Sequence, residues 1–186
     1  KFVFVANNGG SNNISVFSIT AATGELTPVT GSPFAAGGNP YSLVFTNSEK
    51  CLYTANFNGP GSTISAFKVN VLTGALTALT GSPFALSVDN YIATDRIGGV
   101  LYVTTGGGVT GYGILDSGAL VVLAGSSVTT GANAYSVTVD PSGQFLYVAN
   151  DGAGNVSGYK RNGGILTAIP GSSFAAGNRP DFIAIL

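Results

Sequence analysis

No histidine, tryptophan or methionine occurs among these 186 residues, and there is one cysteine. Without an imidazole, the chain cannot build a Ser-His or Cys-His couple or a His-ligated metal site. Cys51 alone can neither close an internal disulfide nor supply a cysteine zinc site. Charge is scarce as well: 8% of residues are charged, against a usual share of about 25%. Seven Lys+Arg against eight Asp+Glu leave a net charge of −1, so no basic surface exists to neutralise a phosphate backbone, and nucleic acid is excluded as a partner. Long apolar runs are missing; the nearest, Ala119 to Ala124, falls far short of the roughly 20 residues of a membrane-spanning helix. No metal and no cofactor is expected.

What the chain has in abundance is glycine, 28 residues, with eight tyrosines and eleven phenylalanines. Low charge with plentiful Gly, Ser, Thr and Asn points to the extracellular space, the cell surface or the periplasm. The start at Lys1 points to processing or trimming. Asn13-Ile14-Ser15 and Asn155-Val156-Ser157 match the glycosylation triplet.

The chain repeats itself. Gly31-Ser32-Pro33-Phe34 returns as Gly81-Ser82-Pro83-Phe84, Gly125-Ser126-Ser127-Val128 and Gly171-Ser172-Ser173-Phe174, spaced 50, 44 and 46 residues apart. A second landmark is an apolar run: Val3-Phe4-Val5-Ala6-Asn7, Leu52-Tyr53-Thr54-Ala55-Asn56, Leu101-Tyr102-Val103-Thr104-Thr105 and Leu146-Tyr147-Val148-Ala149-Asn150. A period in the forties is that of propeller blades. Each repeat contains four short strand-like pieces between turn residues, with no sustained helical periodicity. Thr23-Gly24, Thr73-Gly74, Ser117-Gly118 and Gly163-Gly164 mark the turn between third and fourth strands, where a hairpin needs positive φ. The predicted fold is all-β: one propeller domain, 1–186, with four-stranded blades in repeats of about 1–38, 39–88, 89–132 and 133–178.

The Leu146–Asn150 run, the Asp140-Pro141-Ser142-Gly143-Gln144 turn before it, and Thr23-Gly24-Glu25-Leu26-Thr27 resemble the YVTN-type propeller repeats over the whole chain. Such repeats occur in bacterial and archaeal surface proteins and in lactonase-like seven-bladed propellers. The resemblance implies a propeller, and on its lactonase side an activity that opens lactones. Related muconate-cyclising propellers rely on His, Arg and Glu.

The chain starts on a second strand and ends with Arg179 to Leu186, which aligns with the first-strand pieces Asn39–Phe45 and Asn133–Val137. Residues 179–186 are therefore expected to complete the first blade. Pairing of Ile183–Leu186 with Phe2–Ala6 of the same molecule gives a four-bladed ring, favoured by effective concentration; pairing with a second copy gives an eight-bladed dimer.

First strands line the axis, so the loops entering them form the channel mouth. There the chain places Tyr41, Tyr91 and Tyr135 as an aligned ring, broken by Asp181, with Asp89 and Arg179 nearby. These six residues form either a mouth that stacks a sugar or another neutral ligand, or tyrosines packed about a narrow channel with an Arg179–Asp181 pair at its rim. The amide-rich loops Asn7–Asn12, Phe57–Gly61 and Asp151–Asn155 read as glycan contacts or as solvated turns. Gly106–Gly111 fits G-x-G-x-x-G without a following helix. Ser65–Lys68 and Ser157–Lys160 fit S-x-x-K on strands, where residues three apart face opposite sides. Cys51 reads as a small apolar residue opening a second strand. Lactone opening requires a base or a metal, Glu25 and Glu49 fall in turns, and no acid–base pair emerges. The expectation is thus a non-catalytic surface-layer, adhesion or assembly module binding itself, other surface proteins or glycans. The alternative is a lactonase-like or carbohydrate-binding propeller with its site at the mouth.

Overall fold

The computed structural model describes residues 1–46, 50–86, 91–95 and 99–186. They fall into two units, Lys1–Ser87 and Val88–Leu186, each holding two antiparallel sheets. In the first unit, one sheet is formed by β1 (Phe2–Asn7), β2 (Asn13–Ile19), β3 (Leu26–Pro28) and β4 (Phe34–Ala35). The other contains β5 (Pro40–Phe45), β6 (Cys51–Asn56), β7 (Thr63–Val69), β8 (Leu76–Ala78) and β9 (Phe84–Ala85). The second unit repeats the plan with β10 (Ile92–Thr94), β11 (Val100–Thr105), β12 (Gly108–Ile114), β13 (Leu120–Val122) and β14 (Val128–Thr129). Its last sheet has β15 (Ala134–Val139), β16 (Phe145–Asn150), β17 (Asn155–Asn162), β18 (Ile165–Ala168) and β19 (Phe174–Ala175). No α-helix occurs among the described residues, so none is long and apolar enough to cross a membrane.

Each complete sheet runs from an inner strand through two longer ones to an outer edge, in the order β5-β6-β7-β8 for example. Its second strand is largely apolar because both faces are covered; Leu52, Tyr53, Ala55, Leu101, Tyr102, Leu146 and Val148 are fully buried. The expected turns before the outer strand are present, with Gly24, Gly74 and Gly118 at φ 75°, 76° and 81°. Residues with a Cβ rarely adopt that region.

The Gly-Ser-Pro-Phe landmark sits inside the outer edge rather than after it. The edge is in two pieces, β8 and β9 for example, both paired with β7, and the landmark bulges between them. A bulge leaves an N–H of the third strand without a ladder partner, and the landmark serine accepts that bond. Val16 N donates to Ser32 Oγ (2.9 Å), Ala66 N to Ser82 Oγ (2.9 Å), Gly111 N to Ser126 Oγ (3.1 Å) and Gly158 N to Ser172 Oγ (2.9 Å). Ser126 is fully buried, and its hydroxyl hydrogen points toward Leu123 O and Gly111 O, at 2.6 and 2.8 Å. Ser126→Ala is expected to cost about 1–3 kcal/mol by stranding a buried N–H, measurable as a lower urea midpoint at unchanged slope.

Residues 179–186 carry no strand assignment, and within the first unit β1 pairs with β2. Phe182 and Leu186 remain exposed at 70% and 116%. Within its unit β1 is half-buried, although its Phe-Val-Phe-Val-Ala-Asn sequence is as apolar as its buried counterparts.

Candidate functional site

Six of the residues that matter cluster where inner strands begin in the second unit. Tyr135 stands at a bulge between Ala134 and Ser136 of β15. Tyr91 immediately precedes β10 and is fastened to β11: its N–H donates to Thr104 Oγ1 (3.0 Å), and its carbonyl accepts from Thr104 N (3.0 Å). The two rings lie 5.3 Å apart, tilted at 52°, and Phe182 of the tail meets Tyr91 edge-on at 6.0 Å. Such aromatic pairs contribute about 0.5–1.5 kcal/mol beyond burial.

Beside this aromatic wall, Arg179 Nε donates to Asp151 Oδ1 at 2.8 Å, with the arginine 73% exposed and the aspartate 13%. Asp151 is placed by backbone, its N–H donating to Asn133 O (2.9 Å). The hydrogen bond that Arg179 donates to Asp151 raises the guanidinium pKa above its ordinary value, and the charges of Asp151 and Asp181 and the nearby Tyr135 add to it. Arg179 has φ 55°, as Asn39 and Asn133 have 50° and 52° at the two preceding inner-strand entrances. The same left-handed step thus presents an amide twice and a guanidinium once. Chemically, the cluster offers an aromatic face for a ring, donors for a developing oxyanion, and an exposed carboxylate, Asp181, beside them.

The residues expected at the mouth divide between the two units. Tyr135, Tyr91, Arg179 and Asp181 come together. Tyr41 sits on β5 in the first unit, at the corresponding bulge and 38% exposed. Asp89 lies outside the described residues. The aligned tyrosine ring needs correction: Thr104 stands where Ala55 and Ala149 do, opposite Ser42 and Ser136, so Tyr91 occupies the serine position one residue on from Tyr41 and Tyr135. Arg179 bonds Asp151 rather than Asp181. Asp151 and Phe182 were missed as members; the available signal was that the loop after β16 shares a face with inner-strand entrances.

The amide-rich loops are tied to one another. Asn12 Oδ1 accepts from Asn39 N (2.8 Å), and Asn39 Nδ2 donates to Asn58 Oδ1 (3.0 Å). Both glycosylation triplets begin on strands, where Asn13 and Asn155 accept from Asn7 Nδ2 (2.6 Å) and Asn150 Nδ2 (2.7 Å). Gly106–Gly111 spans the turn after β11 and the first residues of β12. Ser65 is buried while Lys68 is exposed, so no Ser–Lys couple forms. Cys51 is half-buried at the start of β6, and burial raises its thiol pKa against the opposing charge of Lys68. Among the described residues, no three acidic or cysteine side chains group as a metal site.

Repeated four-position antiparallel sheets, with the candidate site at inner-strand entrances, define a β-propeller fold. The sequence matches the family model described as lactonase, 7-bladed beta-propeller over residues 1–87 and 58–170, and the chain belongs to that family. It is similar to a solved putative 6-phosphogluconolactonase from Bacteroides fragilis at 20% identity and TM-score 0.80, covering 95% of this chain and 55% of that one. It is also similar to the periplasmic gluconolactonase of Pseudomonas aeruginosa at 20% identity and TM-score 0.71, covering 94% and 54%. A Lactobacillus plantarum protein matches at 22% identity and TM-score 0.73, covering 91% and 51%. The chain spans about half the length of these structures. No curated protein matches the sequence. The lactonase family overturns the expectation of a non-catalytic binding module: lacking histidine excludes one kind of base and leaves carboxylates available.

Proposed function

We propose that the chain hydrolyses a sugar lactone of the gluconolactone type, at the Tyr91–Tyr135–Arg179–Asp181 cluster. The observation that carries this reading is the family match over residues 1–87 and 58–170; the geometry supplies the roles. Tyr91 and Tyr135 bear the sugar ring, an apolar face being presented to an aromatic one. Asp181 takes a proton from water as its oxygen bonds to the lactone carbonyl carbon. Arg179, whose Nε is engaged by Asp151, keeps its other N–H groups for the developing oxyanion. The ring C–O bond then breaks, and the proton passes from Asp181 to the departing ring oxygen, leaving a hydroxy acid.

The four sheets stand against seven blades in the family description, and the chain covers 55% of the Bacteroides fragilis protein. A closed four-bladed ring therefore has no support among these relatives. The Pseudomonas relative is a periplasmic gluconolactonase, which with the 8% charge content supports a place outside the cytoplasm.

Base release from glucono-δ-lactone in a pH-stat tests the activity. The chain is expected to exceed the buffer rate, and Asp181→Asn to lower kcat/KM by about 100-fold or more, with Arg179→Met similarly affected. A rate equal to that of buffer, or full activity in Asp181→Asn, overturns the reading. Asp181 and Arg179 are exposed, so both variants retain the fold.

A further inference from the structure

We infer that the loops at the strand-entrance end of the first unit bind a neutral saccharide. Those loops carry no charge. Asn7 to Asn13 joins β1 to β2, Ala36 to Tyr41 leads into β5, and Asn56 to Thr63 joins β6 to β7; none of the three stretches contains Asp, Glu, Lys or Arg. They share one end because Asn13 pairs with Ala35 and Pro40 with Asn56. The unit's described charged residues lie at the other end of these strands. Lys1 and Glu25 stand beside Ile19, where β2 finishes, and Lys50 and Lys68 beside Cys51, where β6 starts. An anionic ligand would find no counter-charge among the loops, whereas a neutral one needs none.

What the loops present instead is a fixed row of amides beside two exposed rings. Asn39 N donates to Asn12 Oδ1 (2.8 Å), and Asn39 Nδ2 donates to Asn58 Oδ1 (3.0 Å) and Phe57 O (3.3 Å). The row thus runs from the first sheet to the second. Asn58 is held from another side as well. Its N–H donates to Ser62 Oγ (3.1 Å), and its carboxamide lies over Gly38, where a Cβ would collide with it. Among the described residues these bonds leave Asn12 Nδ2, Asn58 Nδ2 and Asn39 Oδ1 for a ligand. Amide N–H donors with a carbonyl acceptor suit hydroxyl groups, which both donate and accept. Phe57 and Tyr41 are 39% and 38% exposed. Phe57 N donates to Asn39 O (3.0 Å), and Tyr41 stands two residues past Asn39 at the β5 bulge. A pyranose has an apolar C–H face for a ring and a hydroxyl edge for the amides.

The second unit carries a charged version of the same frame. Asp151 N donates to Asn133 O (2.9 Å) as Phe57 N donates to Asn39 O, and Tyr135 occupies the β15 bulge as Tyr41 does that of β5. Where the second unit presents Asp151, bonded to Arg179, the first presents Phe57. Where the second has Gly152, the first has Asn58. One backbone arrangement therefore holds an ion pair in one unit and an aromatic ring with an amide in the other. The saccharide site uses none of the residues assigned to lactone opening.

Amide NMR of the full chain, isotope-labelled and titrated with methyl β-D-glucoside and separately with cellotetraose, tests this. The side-chain amide signals of Asn12 and Asn58 and the backbone N–H of Phe57 are expected to shift over the millimolar range. Phe57→Ala should weaken binding by about fivefold or more. Asn58→Asp keeps the acceptor used by Asn39 Nδ2 and removes only donors, and should weaken binding by about tenfold. Both positions are exposed, so the variants retain the fold. Tighter binding of cellotetraose marks a glycan chain as the ligand and equal binding a free sugar; both sustain the proposal. Three results overturn it: no shift at Asn12, Asn58 and Phe57, an affinity unchanged by Phe57→Ala or by Asn58→Asp, or shifts confined to Tyr91, Tyr135 and their neighbours, which places the sugar at the lactone site alone.

Discussion

Replacing Arg161 with leucine is expected to destabilise the second unit by about 3–5 kcal/mol, the largest single-residue effect in the chain. Its side chain is 5% exposed and bonds Asp95, itself 2% exposed, through Nη2. Nε donates to Tyr102 Oη (2.8 Å), Nη1 donates to Gly143 O, and the guanidinium lies 5.1 Å from the Tyr102 ring. Burial disfavours the cation, and the bonds and charges of Tyr102 and Asp95 outweigh it, so the guanidinium pKa is raised. With the partner removed, Asp95 is a buried carboxylate bonded, among the described residues, by Val100 N (2.9 Å). At about 2–4 °C per kcal/mol for a chain of this size, the melting temperature should fall by roughly 6–20 °C. Removing both charges should recover most of the loss. Asp95→Thr with Arg161→Val suits this purpose, because the second sheet already has Thr46 receiving the hairpin N–H and Val69 in the arginine's place. Thermal melts of the single and double variants decide; a single variant that melts like the parent would show that the pair contributes nothing.

A steep loss of stability above about pH 10 is the second large effect. Burial is the first cause raising the pKa of Tyr53, Tyr102, Tyr112 and Tyr159; the Cys51 charge adds to it at Tyr53, while Arg161 opposes it at Tyr102 and Ser157 at Tyr159. A phenol whose folded pKa lies above its unfolded value binds its proton more tightly in the native state. Its contribution is complete below the unfolded pKa of about 10 and is lost as pH rises toward the folded value. Each such tyrosine contributes a slope of about 1.4 kcal/mol per pH unit, so four give about 5 kcal/mol per unit in that window. With no histidine, no side chain of ordinary pKa titrates between about pH 5 and 8, and the profile should be flat there. Urea unfolding at intervals from pH 6 to 11 measures both regions. Tyr53→Phe should remove about a quarter of the alkaline slope; an unchanged slope would mean that these phenols ionise alike in both states.

The repeats, the second strands and the glycine turns were legible because each depends on near neighbours. Val3 to Asn7 and its three counterparts carry their burial in composition, and Gly74 carries its turn in having no side chain. The serine's role was not legible: its N–H partner lies 14 to 16 residues away on the third strand, and the landmark reads locally as a turn. Tyr91 fell out of step with Tyr41 and Tyr135 because the two tyrosines occupy bulges, each adding a residue that the sequence does not announce. Arg161 and Asp95 are 66 residues apart; the trace they left was a charge standing where Ile19, Val69 and Ile114 are aliphatic. The grouping of Arg179, Asp181, Tyr91 and Tyr135 was argued from topology, and Asp151 was left out of it because its loop reads as glycan contacts or a solvated turn.

The four serine bonds also bear on how such a chain changes over generations. Every one begins and ends within a single sheet. A stretch of DNA encoding one repeat therefore carries both ends of its serine bond, so copying or losing it leaves the corresponding bonds of the other blades intact.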